Sequence, residues 1–181
     1  MRKLKITELN RVSKEEFKKI DKLPLVVVLD EVRSLYNVGS VFRSSDAFAV
    51  SAVECIYLCG ITAVPPNAEI HKTALGAEES VDWKYFKRTQ DAVNELKTMG
   101  YEVLAIEQVE HSTMLQNISL DPQKKYAIIL GNEVKGVQQE VVDMCDGCIE
   151  IPQFGTKHSL NVSVTAGILI WEFARILKIG S

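Results

Sequence analysis

The chain has 181 residues, of which 46% are hydrophobic and 25% charged, a composition that excludes a disordered protein and fits one globular domain. Its formal net charge of −3 argues weakly against a nucleic-acid-binding protein. The longest apolar stretch, residues 162–171, is too short and too interrupted by polar residues to span a bilayer, and the N-terminus lacks a signal-peptide pattern. We therefore expect a soluble, cytoplasmic protein without membrane contact.

The charge is distributed unevenly along the chain. Residues 1–23 contain eight Lys/Arg and four Asp/Glu, whereas the remainder contains thirteen and twenty. Such a basic arm on an acidic body can contact phosphates locally. Alternatively, Ser13 and Glu16 simply open a solvated helix at about 13–21 through a capping box, and the two interpretations are compatible. We predict a basic N-terminal helical arm over residues 1–23 and a single domain over residues 24–181.

Beyond the arm, apolar β-branched runs alternate with helical patterns. The predicted strands are Leu25–Leu29, Val53–Leu58, Val81–Phe86, Val103–Ile106, Tyr126–Leu130 and Cys148–Ile151. The predicted helices run from Asn37, as a possible cap, to Phe48, and over about 67–75, 91–99, 137–144 and 159–177. This alternation predicts an α/β fold with a mostly parallel sheet flanked by helices.

Three of the predicted strands are followed by unusual loops, at residues 30–39, 131–136 and 153–159. Parallel sheets bind ligands at the carboxyl ends of their strands. The last predicted helix also carries four polar side chains near its start, which need hydrogen-bond partners in so apolar a segment. These are Ser159, Asn161, Ser163 and Thr165. We therefore expect a ligand site where the three loops meet.

Several common sites are disfavoured by the sequence. Residues 131–136 have the glycine spacing of a phosphate loop, but Val137 and Gln138 stand where Lys and Ser/Thr are needed. No G-x-G-x-x-G follows a predicted strand, which weakens a dinucleotide-binding fold. The four cysteines, at positions 55, 59, 145 and 148, have spacings that allow zinc or redox chemistry, but buried core thiols are favoured. The three histidines are scattered, and no metal site is predicted.

Three segments, in order along the chain, carry a family resemblance. They are LDEVRSLYNVGSVFRSSDAF (residues 29–48, the first segment), IILGNEVKGV (128–137, the second segment) and IEIPQFGTKHSLNVSVTAGI (149–168, the third segment). Together they resemble the three motifs of the SpoU-type (TrmH-like) RNA 2′-O-ribose methyltransferases of the SPOUT superfamily, over roughly residues 24–177. The sequence departs from the usual pattern at Leu35, Ser40 and Val134, changes that affect loop shape or substrate fit more plausibly than chemistry.

The resemblance implies a SPOUT-type fold with a deep trefoil knot at the C-terminus, a homodimer whose active site draws on both subunits, and S-adenosylmethionine as cofactor. It implies cofactor-binding residues in the second and third segments: Leu130, Gly131, Asn132, Gly136, Ile151, Pro152, Gly155, Ser159 and Leu160. It implies catalytic residues in all three segments: Arg43, Asn37, Glu133, Ser159 and Asn161.

Each of these catalytic assignments has a structural alternative. A guanidinium stays protonated in proteins, so Arg43 would stabilise a developing alkoxide or clamp a phosphate; otherwise it forms a surface ion pair with Asp46 or Asp30. Glu133 would position its loop or accept the hydroxyl proton, or else is a solvated turn carboxylate. The alternative for the remaining three side chains is helix capping, although Asn161, placed inside the predicted helix, then needs another partner.

The expected function is S-adenosylmethionine-dependent methylation of a ribose 2′-hydroxyl in structured RNA. Transfer RNA is slightly favoured over ribosomal RNA, because a nearly bare domain has little additional surface for a large target. One alternative is a non-catalytic RNA-binding or assembly protein with the same fold, and a weaker one is a methyltransferase acting on a base or a small molecule. The last helix is apolar nearly all round and must be covered on more than one face, by a dimer partner or by a larger core.

Overall fold

The seven strands of the computed structural model, which describes residues 1–9, 11–48 and 53–179, form one sheet. They are β1 Leu23–Asp30, β2 Val53–Cys59, β3 Trp83–Phe86, β4 Tyr101–Ile106, β5 Thr113–Met114, β6 Lys125–Leu130 and β7 Gly147–Glu150. Their order is β3-β2-β1-β6-β4-β7-β5, and every neighbouring pair is parallel. The predicted mostly parallel α/β sheet is confirmed.

Helices cover both faces of this sheet. They are α1 Lys14–Lys19, α2 Leu35–Asp46, α3 Ala68–Ala74, α4 Thr89–Thr98, α5 Gln139–Val142 and α6 Val162–Ala174, and α6 continues as a π-helical turn over Arg175–Ile179. The central strand β1 is almost fully buried, and its successive side chains enter opposite cores. Leu25, Val27 and Leu29 pack in the core formed with α2, α3 and α6, whereas Val26 and Val28 pack in the core formed with α4 and α5.

The chain returns to the middle of the sheet twice. After the edge strand β5 it forms β6, which lies between β1 and β4, and β7 then lies between β4 and β5. From β7 the chain crosses back, so that α6 packs against α2 and β1. All the loops that follow these parallel strands therefore emerge at one edge of the sheet.

Two helix starts differ from the sequence prediction. The N-cap of α2 is Ser34, whose Oγ accepts from the backbone N–H of Asn37 at 3.3 Å, so Asn37 is not the cap. The N-cap of α6 is Asn161, whose Oδ1 accepts from the N–H groups of Ser163 and Val164. This helix begins three residues later than predicted, and Asn161 caps it rather than lying inside it.

Other boundaries shift for simple reasons. The predicted helix at 137–144 is a single turn over Gln139–Val142, and the strand predicted from Val81 begins at Trp83. The two-residue strand β5 was not predicted, because a segment so short has no detectable periodicity. The helix predicted to reach Phe48 ends at Asp46.

The N-terminal arm contains a capped helix. Ser13 and Glu16 form the predicted capping box at the start of α1. Phe17 is buried in the core that includes α2 and α3, and Lys14 forms an ion pair with Glu79. The helical part of the arm is thus attached to the body of the protein.

The cysteines of the structure are all free thiols. Burial, the largest contribution, raises the pKa of Cys55, Cys59 and Cys145 to about 12. Cys59 is buried as predicted, whereas Cys55, Cys145 and Cys148 are only partly buried. Within the described ranges, no group of three or more His, Cys, Asp or Glu side chains is arranged to hold a metal ion. No helix in the same ranges is both long and apolar enough to cross a membrane.

Candidate active site

A cavity of about 650 Å³ opens at the carboxyl edge of the sheet, within the size range of small-molecule sites. Its walls come from the segments that follow β4, β6 and β7. The predicted residues that line it are Leu130, Gly131, Asn132, Glu133, Gly136, Ile151, Ser159, Leu160 and Asn161. The loop after β1, which we expected to form the third wall, lies outside the lining. The third wall is instead residues 106–109, which follow β4 and which the sequence did not single out.

The loop after β6 is a tight turn held by its own side chain. The backbones of Asn132 and Gly136 pair with each other, and Oδ1 of Asn132 accepts from the N–H groups of Val134 and Lys135 at 2.9 and 3.1 Å. The same Asn132 donates through Nδ2 to the carbonyl of Glu31 at 2.7 Å. This asparagine therefore fixes the turn and ties it to the loop after β1.

Glycine is required twice in this turn. A Cβ on Gly131 would lie 2.1 Å from the backbone of Gly136 and Val137, a distance at which the chain could not keep its course. Gly136 has φ +69°, and its Cβ would lie 2.0 Å from a carboxylate oxygen of Glu107. The two glycines allow the chain to fold back on itself at the cavity wall.

Glu133 connects the second segment to the first. Its carboxylate accepts from the N–H groups of Arg33 and Ser34 and from Nδ2 of Asn37, each at 2.9 Å. Burial tends to raise the pKa of Glu133, but these hydrogen bonds outweigh it and lower the pKa below its ordinary value. A carboxylate so engaged is a weak proton acceptor and a strong positioning group.

Asn37 and Asn161 extend this connection to the third segment. Nδ2 of Asn161 donates to Oδ1 of Asn37 at 3.1 Å, while Oδ1 of Asn161 caps α6. Asn37 is buried and does not line the cavity. The three predicted residues Glu133, Asn37 and Asn161 therefore form one hydrogen-bonded chain that joins all three segments.

Two carboxylates that support the cavity were not predicted. Asp30, fully buried at the end of β1, accepts from Oγ1 of Thr89 and from both the N–H and the Nε2 of Gln138. Glu107 lines the cavity and accepts from the N–H groups of Gln108 and Val137 at 2.9 and 3.1 Å. Asp30 ends a buried strand, and a lone acid in that position is a sequence signal for such a role.

Besides Asn37, three predicted residues lie outside the cavity wall: Arg43, Pro152 and Gly155. A Cβ on Gly155 would meet open space, so the close approach that we expected at this glycine is not observed. Arg43 is exposed on α2, and its guanidinium forms neither a hydrogen bond nor an ion pair with any residue in 1–9, 11–48 or 53–179. The surface pair with Asp46 or Asp30 that served as its structural alternative is absent among these residues.

The charges of the cavity favour a cationic ligand. Glu107, Glu133 and Glu150 line it, against Lys135 and His158. Apolar strand ends, such as Ile106, Leu130 and Ile149, supply walls against which a flat ring can pack. The combination suits a molecule that has an aromatic base, polar edges and a positive centre, as S-adenosylmethionine has.

Comparison with known proteins gives relatives of one kind. The chain is 34% identical over 151 residues to a 23S rRNA (guanosine-2′-O-)-methyltransferase RlmB of Nitrosomonas europaea, covering 83% of this chain and 56% of the relative. It is 30% identical over 154 residues to a tRNA (guanosine(18)-2′-O)-methyltransferase of Aquifex aeolicus, covering 83% and 69%. The chain thus spans between about half and two thirds of the length of these relatives.

A solved structure shares the fold. The AdoMet-bound rRNA methyltransferase from Sinorhizobium meliloti superposes with a TM-score of 0.76 at 27% identity, covering 89% of this chain and 60% of that one. Residues 24–171 match the SpoU rRNA Methylase family, and this range includes all three segments and the whole cavity wall. The chain therefore belongs to the SpoU rRNA methylase family.

Proposed function

We propose that the chain is an enzyme that transfers a methyl group from S-adenosylmethionine to a ribose 2′-hydroxyl of structured RNA. The observation that carries the proposal is the joining of all three family segments at one cavity through Glu133, Asn37 and Asn161. The names of relatives that act on guanosine 2′-hydroxyls of tRNA and 23S rRNA support the reaction class.

The cofactor, when bound, supplies a methyl group made electrophilic by a sulfonium. We propose that it is held mainly by backbone and apolar groups of the cavity wall: Leu130, Gly131, Asn132, Gly136, Ile151, Ser159 and Leu160. Pro152 and Gly155 would set the course of the third segment without touching the ligand. The carboxylates of Glu107 and Glu150 would favour the positive charge of the ligand.

The chain's own residues would divide the catalytic work. Methyl transfer to a hydroxyl would neutralise the sulfonium charge and release the hydroxyl proton, which would pass to solvent water at the opening of the cavity, so fixed dipoles of the chain suit the reaction. Glu133, which already accepts three hydrogen bonds, acts as a positioning residue in this scheme rather than as the base. Asn37 and Asn161 hold the wall, and the exposed Ser159 at the cavity can contact the ribose.

Arg43 would stabilise the developing alkoxide or clamp the adjacent phosphate. It is exposed and lies outside the cavity of its own chain, which is the position expected of a residue that serves a site shared between two copies. We therefore propose a homodimer with composite active sites. The exposed apolar face of α6, formed by Val164, Ile168 and Trp171, supports this arrangement.

The proposed fold includes the C-terminal trefoil knot that the family resemblance implies. The return of the chain from the edge strand β5 to the central β6, and of α6 onto α2 and β1, supports it. The knot can be tested by tracing the chain in an experimental electron-density map and joining its two ends. A C-terminal segment that passes beside the loops, and not through one of them, would reject the knot.

We propose that the protein acts in the cytoplasm, where tRNA and ribosomal RNA occur. We also propose that residues 1–23 form a basic arm and that residues 24–181 form the catalytic domain. Removal of residues 1–23 should weaken RNA binding and leave cofactor binding intact. Phe17 and Leu23, the first residue of β1, belong to the core, so thermal denaturation must first establish that the shortened chain folds. Unchanged RNA affinity of a folded truncation would contradict the role of the arm.

Titration calorimetry with S-adenosylmethionine separates the enzyme from the alternative of a non-catalytic RNA-binding or assembly protein. The enzyme should bind the cofactor. The absence of binding at millimolar ligand would reject the enzyme and leave the non-catalytic alternative.

Mapping of 2′-O-methyl marks in total RNA, with and without the gene, identifies the substrate. We expect one or a few marks to disappear, and we favour marks in tRNA over marks in rRNA. A lost mark in ribosomal RNA would reverse that preference. Transfer of a labelled methyl group to a base or to a small molecule would contradict the ribose assignment.

A further inference from the structure

Exposed apolar side chains lie in two of the loops that form the cavity wall. Phe154 is 96% exposed and Val134 is 77% exposed, and Leu160 has 39% of its surface in solvent. Val134 and Leu160 line the cavity, and Phe154 follows Gln153, which also lines it. Single exposed apolar residues are common, but these three lie in two loops that both contribute to the wall of one cavity, and we call them the apolar rim.

Hydrogen bonds hold the turn that carries Val134 and the end of the loop that carries Leu160. Oδ1 of Asn132 holds the turn that carries Val134. In the loop after β7, Nε2 of Gln108 donates to the carbonyl of His158 at 3.2 Å, and the N-cap Asn161 fixes the end of the loop. Segments held in this way lose little conformational entropy when they bind a partner.

Two lysines accompany the apolar rim. Lys135 lines the cavity and Lys157 is exposed in the loop after β7. In the part of the chain that the structure describes, neither ammonium group forms a hydrogen bond or an ion pair. The rim therefore combines an aromatic face with unpaired positive charge on a protein whose net charge is −3.

We propose that Phe154, supported by Val134 and Leu160, is a stacking platform for a nucleobase of an unpaired RNA segment, and that Lys135 and Lys157 contact the phosphates beside it. The proposal rests on the proposed function and specifies its substrate as a loop or bulge. A base can stack on an aromatic side chain when it is splayed out of a helix, whereas paired bases in A-form RNA have their faces covered. Aromatic stacking is also tolerant of base identity.

The test uses the full chain and a fluorescein-labelled pool of stem–loop RNAs with a randomised loop, with the blunt duplex of the same stem as comparison. Phe154→Ala removes the stacking of one base. Its affinity for the stem–loop, measured by fluorescence anisotropy, should therefore be about 5- to 150-fold lower than that of the wild type. Phe154→Trp should retain the wild-type affinity, whereas Phe154→Leu should lose nearly as much as Phe154→Ala. Duplex binding should not change.

The lysines are tested through the salt dependence. Lys135→Ala and Lys157→Ala should each reduce the slope of log affinity against log salt concentration by about 0.7, the value for one single-strand phosphate contact. Met99→Ala is the matched control, because Met99 is also exposed, at 48%, but lies just before β4 at the opposite edge of the sheet. It should leave both the affinity and the slope unchanged.

Several results would overturn the proposal: wild-type affinity in Phe154→Ala, full affinity in Phe154→Leu, equal losses for stem–loop and duplex, or no RNA binding by the wild type. Dissociation of a dimer by Phe154→Ala in sedimentation velocity would assign Phe154 to an interface between copies and overturn it too. Calorimetry with S-adenosylmethionine distinguishes failure of this proposal from failure of the proposed function. Failure to bind the cofactor rejects the proposed enzyme, whereas retained cofactor binding with unaltered RNA binding in Phe154→Ala rejects only the platform.

Discussion

At the scale of single residues, Arg43 is the side chain whose position in the structure differs most from the catalytic role that its sequence motif predicts. It lies in a family motif, yet it is exposed and outside the cavity of its own chain. A surface arginine that forms no ion pair with the residues that the structure describes contributes little to stability. Its position is therefore better explained by contact with a substrate or a second copy than by folding.

Replacement of Arg43 tests this explanation. We expect Arg43→Ala to bind S-adenosylmethionine normally and to lose about 10²- to 10³-fold in kcat, the usual effect of removing one electrostatic donor. Arg43→Lys should recover only part of the loss if a bidentate contact is needed. Arg88, exposed at the start of α4, gives the control variant Arg88→Ala, and calorimetry with single-turnover kinetics provides the readout. Wild-type turnover in Arg43→Ala would reject a catalytic role.

Glu133 provides a pH-dependent prediction. Its pKa is lowered in the folded state, so its contribution to stability is complete above the ordinary glutamate pKa of about 4.3 and is lost as the pH falls through the folded pKa. Glu133→Gln removes the charge and should reduce the free energy of unfolding near pH 7 by about 1 kcal/mol, a partly exposed hydrogen-bonded carboxylate being worth less than a buried one.

Urea denaturation at several pH values measures this effect. The difference between wild type and Glu133→Gln should be constant from neutral pH down to about pH 5 and shrink at lower pH. Glu15, exposed on α1 and outside the site, supplies the control Glu15→Gln. A difference that grows on acidification would contradict the hydrogen-bonded role.

At the scale of elements, the loop after β6 determines the shape of the cavity wall. Gly131→Ala would place a Cβ within 2.1 Å of backbone atoms that cannot give way. We expect a loss of about 2–4 kcal/mol in stability, through overpacking and a displaced turn, together with loss of cofactor binding. Thermal denaturation and calorimetry measure the two effects.

Gly155→Ala is the matched substitution in the loop after β7. A Cβ there meets open space, so the midpoint of thermal unfolding should stay that of the wild type. Equal destabilisation by Gly131→Ala and Gly155→Ala would show that the close approach at Gly131 does not constrain the fold.

At the scale of the whole molecule, α6 has more apolar surface than its own chain covers. Val164, Ile168 and Trp171 keep between 36% and 51% of their surface exposed, while Leu169, Ile170 and Phe173 are buried in the core. The sequence predicts that this helix is covered on more than one face, and the core of its own chain covers one of these faces. A second copy of the chain is our proposal for the other side.

Val164→Lys should weaken the proposed dimer without unfolding the monomer, since Val164 is already half exposed. We expect the dimer dissociation constant to rise at least about tenfold, equivalent to ~1.4 kcal/mol, in sedimentation equilibrium. Met99→Lys, at the opposite edge of the sheet, should have no effect. A monomeric wild type would reject the dimer itself.

The sequence by itself determined the local pattern of this protein. The six longer strands, the capping box at Ser13 and the alternation of strand and helix follow from short-range periodicity and side-chain chemistry, which act within one element. The second and third family segments also contain most of the residues that line the cavity, including Gly131, Asn132 and Ser159.

The tertiary structure decided which of these residues act together. The helix caps at Ser34 and Asn161 depend on where the backbone turns. Two other contacts join residues that are far apart in sequence, namely Glu133 with the loop after β1 and Asp30 with Gln138. Hydrogen bonds of this kind depend on distances set by strand order and register, which a linear pattern does not contain. The sequence could therefore identify the parts of the site, whereas only packing of the sheet could decide that residues 106–109 form its third wall and that Arg43 lies outside it.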